Sequence, residues 1–261
     1  MIINPTLFEE ANIARLRKEF DEALPYRHLV IDNFLTEEIA TSLNKNFPTV
    51  EDLKTHWKSL NEKKSEGSDF EQFHPSFQSL KKELFSKTTY DWITQVTGIE
   101  EVFITDDSMG AGLHQGVDGS FLDIHIDFNI HHIKNVHRRL NLLIYLEQDW
   151  KPEYGGQLEL WDADMTNCDK LVEPNFNRAV MFETSEISYH GYGKTSLPPT
   201  KTRKSFFAYF YTNEREDAVG YHDTIFKARP EEGLLKKVKT DVKETLKNTA
   251  KSTLKKIGIK F

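Results

Sequence analysis

The chain has a single cysteine, Cys168, among 261 residues, so neither an internal disulfide framework nor a cysteine-based zinc site can be built from it. A reducing, cytoplasmic setting is the natural expectation. Long hydrophobic runs are also missing: no stretch approaches the roughly 20 apolar residues that a membrane-spanning helix needs. The first twenty residues interleave Glu9, Glu10, Arg15, Arg17, Lys18 and Glu19 with apolar side chains, so no signal peptide is expected. Surplus positive charge is lacking too. The formal net charge of −7 argues against a nucleic-acid binder. What the chain does have is apolar bulk: 38% hydrophobic residues and 18 Phe are enough to fill the core of one large domain with extensions.

The pattern changes along the chain. Residues 5–24 carry Phe8, Ile13, Leu16 and Phe20 near helical spacing. His28 to Ile31 reads as a short strand. Thr36, followed by Glu37 and Glu38, predicts a helix to about Phe47. Residues 52–67 are polar and charged and read as a loop or lid with a helical piece. Residues 77–96 predict one core-backing helix. From about Phe103 short strands take over, at 111–115, 121–128, 139–146, 157–161, 170–172, 178–182, 187–190 and 203–211. Eight such strands predict a mainly β fold, a double-stranded β-helix of the jelly-roll, cupin-like kind backed by N-terminal helices. The expected organisation is a helical and strand cover over 1–100, the β core over 101–215, and an extension over 216–261. Within the extension, residues 233–261 place Leu234, Leu235, Val238, Val242, Leu246, Ala250, Leu254 and Ile257 at helical spacing among many lysines. This basic amphipathic helix suits a peripheral membrane or partner contact, or docking on the acidic body of its own chain; docking is the simpler expectation. It is expected to be dispensable for chemistry.

Strand alternation sorts the β core into faces. Asp123, His125 and Asp127 fall on one side of their strand. Arg139, Asn141, Leu143 and Tyr145 share a face, as do Arg203, Ser205, Phe207, Tyr209 and Tyr211. The opposite faces are purely apolar and suit packing on helices. Same-face placement lets His125 and Asp127 reach one metal. A third ligand must come from a distant strand, and His190 fits. His131, His132 and His137 compete by proximity, but the adjacent His131 and His132 point apart in extended chain and cannot both join. Two imidazoles and a carboxylate form the ligand set of non-haem iron(II) sites with open positions. The same set also describes hydrolytic zinc sites.

The ordered motifs carry a resemblance. Phe121-Leu122-Asp123-Ile124-His125-Ile126-Asp127, then Arg139-Leu140-Asn141-Leu142-Leu143-Ile144-Tyr145, Gly155-Gly156-Gln157-Leu158, His190-Gly191 and Arg203-Lys204-Ser205-Phe206 resemble the iron(II)- and 2-oxoglutarate-dependent oxygenases of the prolyl-hydroxylase type, over roughly residues 25 to 215. The resemblance implies His125, Asp127 and His190 as catalytic iron ligands. It implies Arg203, helped by Ser205, as the clamp for the distal carboxylate of 2-oxoglutarate, because a guanidinium fork matches a carboxylate. Tyr145 stands where relatives place a tyrosine on that carboxylate. Gln115 stands where others place a further tyrosine and is the candidate replacement. The implied cofactors are Fe(II), 2-oxoglutarate and O2, with release of succinate and CO2. A carboxylate at Asp127 favours hydroxylation over halogenation. Asp123, Arg139 and Asn141 are candidate contacts to a small-molecule or peptide substrate. The alternative is a non-oxidative, cupin-like metal-binding protein, which needs no clamp at Arg203.

Overall fold

In the computed structural model, which describes residues 1–256, an antiparallel sheet curls nearly into a barrel and helices cover one face. The N-terminal part supplies α1 (Glu10–Glu22), β1 (His28–Ile31), α2 (Glu37–Lys45), β2 (Thr55–Lys58), β3 (Glu62–Gly67), α3 (Pro75–Leu84) and α4 (Lys87–Thr97). Then come β4 (Phe103–Ile104), β5 (Ala111–Gly116), β6 (Phe121–Ile126), β7 (His137–Tyr145), β8 (Leu158–Trp161) and β9 (Cys168–Val172). The chain continues with β10 (Arg178–Glu183), β11 (His190–Tyr192), β12 (Arg203–Thr212), β13 (Ile225–Phe226) and α5 (Leu234–Lys256). The main path of the sheet runs β1-β10-β7-β12-β5-β3-β6-β11-β8-β9. The last five residues of the expected tail helix lie outside the described residues.

The apolar faces read from alternation are the ones that pack on helices. Leu140, Leu142 and Ile144 of β7 and Phe206, Ala208 and Phe210 of β12 share one core with Phe20, Phe77, Leu80 and Trp92. Each fully buried Leu or Phe contributes about 1.5–3 kcal/mol. The single helix expected over 77–96 is two. Ser86 Oγ accepts the Thr89 amide at 3.2 Å and starts α4 afresh. The helix expected over 5–24 opens with a 3-10 turn at Pro5–Phe8 before α1.

Residues 52–67 are not a lid. They contain the β2–β3 hairpin, and β3 lies within the sheet between β5 and β6. With β1 also in the sheet, residues 1–100 do more than cover it. Alternation is present in β3, but its inward residues are Glu62, Lys64 and Glu66, so a search for alternating apolar residues passes it by.

Two bulges break the expected parity. Between Phe210–Leu140 and Tyr211–Arg138, β12 advances one residue while β7 advances two. Between His190–His125 and Tyr192–Leu122, β11 advances two and β6 three. Each extra residue reverses the faces beyond it. Gly191 sits at the second bulge. A Cβ there would lie 2.6 Å from the Leu122 carbonyl oxygen and 2.9 Å from that of Asp123, so only glycine allows the close approach.

Candidate active site

Antiparallel pairing of β6 with β11 sets His190 directly opposite His125. Asp127 follows immediately after β6. One donor atom from each of the three lies within 4.8 Å of the others, and among the described residues they form the one such group. Asp127 bridges the pair, with Oδ1 3.6 Å from His125 Nε2 and Oδ2 3.4 Å from His190 Nε2. Both Nδ1 atoms are engaged elsewhere: His125 Nδ1–H donates to the Asp123 carbonyl at 2.9 Å, and His190 Nδ1–H to the Ser188 carbonyl at 2.8 Å. These bonds put the lone pairs on the two Nε2 atoms and aim them at one point. Burial, and then the neighbouring His125, push His190 down to about 3, so its imidazole is neutral and available as a ligand. Of the competing histidines, His131 turns to Asp107 at 3.0 Å instead.

Asp127 is held from behind. Asn141 Nδ2 donates to its Oδ2 at 2.7 Å, and Arg138 Nη2 lies 3.3 Å from the same oxygen. Arg138 Nε donates in turn to Asn141 Oδ1 at 2.9 Å, and its guanidinium stacks 3.5 Å from the centroid of Tyr209. Burial works against a charge on Asp127. Arg138 and the two imidazoles outweigh it and hold the carboxyl well below the usual carboxylate range.

The same cavity, of about 470 Å³, contains Arg203 and Ser205. Arg203 is 6% exposed. Its Nε donates to the Gly156 carbonyl at 2.8 Å and its Nη2 to the Tyr145 hydroxyl at 3.3 Å. The guanidinium also sits 4.0 Å from the Tyr192 ring centroid. Gly156 adopts φ +68°, and a Cβ there would press on Thr195 at 2.8 Å and on Arg203 Cδ at 3.2 Å. All these partners are uncharged, and among the described residues Arg203 forms no ion pair. Next to it lies a charged layer that sequence reading missed. Lys64 is 3.4 Å from Glu66, and Glu66 is 3.4 Å from His114, whose ring stacks on Phe207. Burial and then Lys64 push His114 down to about 4. Burial alone would raise Glu66, but His114 and Lys64 hold it well below the usual range.

Several sequence candidates stand elsewhere. Gln115 does not line the cavity; its amide donates to Thr202, and its neighbour His114 faces inward. Asp123, expected inward, is turned outside the cavity by the β6 bulge, and Leu122 lines it instead. The Asp123 carboxylate meets Arg229 at 3.1 Å and Lys236 at 2.8 Å. Arg139 lies 3.7 Å from Glu183, and the β7 bulge puts Arg138 in the inward place expected for it. Asn141 does face the cavity, where it buttresses Asp127. The missed residues had one legible signal, the charge alternation of β3.

The donor set fits the groups the motifs imply. Three neutral or anionic donors converge where a divalent cation would sit, and a buried guanidinium with no anion among the described residues faces the same space. Residues 111–211 match the model of the 2OG-Fe(II) oxygenase superfamily. Prolyl 3-hydroxylase OGFOD1 of Mus musculus is 24% identical over 192 residues, 72% of this chain and 33% of that protein. The chain therefore spans about a third of the length of that curated relative, and 17% of a second, from Ostreococcus tauri, that is 36% identical over 87 residues. A Pseudomonas putida prolyl-4-hydroxylase structure superposes with a TM-score of 0.55 at 18% identity, covering 76% of this chain and all of that one. A Trichoplax adhaerens prolyl hydroxylase, solved with a hypoxia inducible factor peptide, also gives 0.55, at 19% identity over 78% of this chain and 91% of that one. The β core, residues 111–211, is thus similar to the 2OG-Fe(II) oxygenase superfamily, and the chain has a fold of the prolyl-hydroxylase type.

Proposed function

We propose that the protein is an iron(II)- and 2-oxoglutarate-dependent dioxygenase that hydroxylates an unactivated C–H of a peptide-borne side chain, proline first. The observation that carries this reading is Arg203, buried, unpaired by any carboxylate among the described residues and facing the cavity of the His125, Asp127 and His190 cluster. A cupin-like binding protein has no use for that cation. Iron and 2-oxoglutarate, when bound, would supply the oxidising chemistry, consuming O2 and releasing succinate and CO2.

The chain's own part is positioning. His125, Asp127 and His190 would hold the metal on one side and leave its other side open to the cavity. Arg203 would grip the distal carboxylate, with Tyr145 steering the guanidinium and Ser205 beside it. Arg138 and Asn141 keep Asp127 ionised and aimed. Leu143, Phe182 and Phe207 give the cavity part of its apolar wall. The curated relatives are named prolyl hydroxylases, which supports a prolyl substrate. Succinate formation from 2-oxoglutarate with Fe(II) tests the proposal, first alone and then with proline-containing peptides. Uncoupled succinate release that peptides stimulate is the expected result. No 2-oxoglutarate binding in metal-loaded protein would refute it.

A further inference from the structure

Helix α5 is not a remote appendage. Its apolar stripe faces solvent: Leu235 is 78% and Leu246 67% exposed, while Thr240 and Glu244 are buried against the body. The docked side is therefore the polar one. Asn61 Nδ2 donates to Thr240 Oγ1 at 3.2 Å, Lys236 reaches Asp123, and Arg229, just ahead of the helix, pairs with both Glu159 and Asp123. So anchored, α5 brings Lys243, Lys247 and Lys251 to the wall of the active-site cavity. A spacing of four residues places them one turn apart on one side of the helix, about 6 Å per step.

Of these three lysines, Lys243 stands apart in its partners. Asp223 is the carboxylate lining this part of the wall, and it takes Lys251 at 2.8 Å and lies 3.7 Å from Lys247. Lys247 is also held by Glu244. Lys243 has no carboxylate partner among the described residues; its ammonium donates to Asn61 Oδ1 at 3.2 Å. It lies 6.0 Å from the Phe226 ring centroid, and that ring is 5.4 Å from the ring of His125. One aromatic ring thus separates a surplus positive charge from the metal cluster. Of the deeper cations, Arg138 is balanced by Asp127 and Lys64 by Glu66, and Arg203 is the one assigned above to the cosubstrate carboxylate.

We infer that Lys243, flanked by Lys247 and Lys251, forms a rim subsite that receives a carboxylate of an acidic peptide, so that α5 selects substrates carrying negative charge beside the hydroxylated residue. This rests on the peptide hydroxylase reading above. An ammonium at the cavity mouth steers an anionic chain inward and repels a cationic one.

The test is equilibrium binding to the full chain loaded with Mn(II) and 2-oxoglutarate under nitrogen. The probes are two fluorescein-labelled heptapeptides with a central proline, one flanked by glutamates and the other by lysines. The acidic peptide should bind at least about tenfold more tightly, with the difference shrinking at about 0.5 M salt. Lys243→Glu should remove most of that preference and Lys243→Arg should keep it, with melting temperatures recorded to verify folding. Equal binding of the two peptides to the wild type overturns the inference without recourse to any variant. A preference unchanged in Lys243→Glu also overturns it. Because binding is read without turnover, failure here is separate from failure of the succinate assay.

Discussion

Arg138→Met should expose how the apo site stores its charge. Arg138 is 2% exposed and sits 3.3 Å from Asp127, whose own side chain is 10% exposed. Methionine retains much of the packing between Phe128 and Tyr209 but removes the cation. Removing one partner of a buried ion pair typically costs about 3–5 kcal/mol, because the other charge is left uncompensated. That corresponds to a melting temperature roughly 10 °C lower in metal-free protein. The sign of the pH dependence follows from Asp127. Its folded-state pKa is depressed, so its stabilisation is present above the unfolded value of 3.8 and is lost only as pH falls through the lower folded value. In the variant that pKa rises, and protonation relieves the stranded charge. The deficit between variant and wild type should therefore be largest near pH 7 and narrow toward pH 4. Mn(II) should raise the melting temperature of the variant more than that of the wild type, since the ion becomes the main countercharge for Asp127. Thermal melts across pH, with and without Mn(II), make the measurement. A pH-independent deficit, or equal metal shifts, would refute this account of Arg138.

Replacing both His125 and His190 with Ala should abolish the Mn(II)-induced thermal shift; full metal binding in the double variant would show that the ligands are misassigned. Arg203→Ala should weaken 2-oxoglutarate binding by about 2–5 kcal/mol in calorimetry on Mn(II)-loaded protein. Unchanged affinity would favour the cupin-like alternative. His114, pushed down to about 4, contributes stability that is present above its unfolded pKa of 6.5 and is lost as pH falls from there toward 4. The shift is worth on the order of 3 kcal/mol, so His114→Gln should flatten acid destabilisation in that window, and an identical pH profile would count against it.

What was legible in the sequence was local and periodic. The apolar faces of β7 and β12 and the meeting of His125 with a histidine from a distant strand follow from alternation plus motif order, whereas Tyr145 came only from the resemblance, as a contact to the carboxylate, and the structure places its hydroxyl on Arg203. Alternation fails where a bulge inserts a residue, and no side chain announces one in advance. Arg138-Arg139 shows this plainly: two adjacent arginines are equally suited to the cavity, and a one-residue register difference sends the first to Asp127 and the second to Glu183. β3 was missed for another reason. Its inward residues are charges that neutralise one another, so burial there leaves no apolar trace. The tail was read as a basic amphipathic helix docking on the acidic body of its own chain, without naming the side that docks; the structure seats it through a buried polar network and leaves its apolar stripe to solvent.

The bulge in β6 also links the seating of the tail to the metal cluster. With Leu122 turned into the cavity, Asp123 turns away from it, and its two polar groups serve different partners. Its carbonyl accepts from His125 Nδ1 and so sets which nitrogen faces the metal position. Its carboxylate, 1% exposed as a residue, takes Asn61, Arg229 and Lys236. A carboxylate so buried is stable only with such partners. The contacts that seat α5 at the cavity mouth therefore act on the very residue that orients a candidate metal ligand. Displacing the helix is therefore expected to disturb the rim lysines and the setting of His125 together.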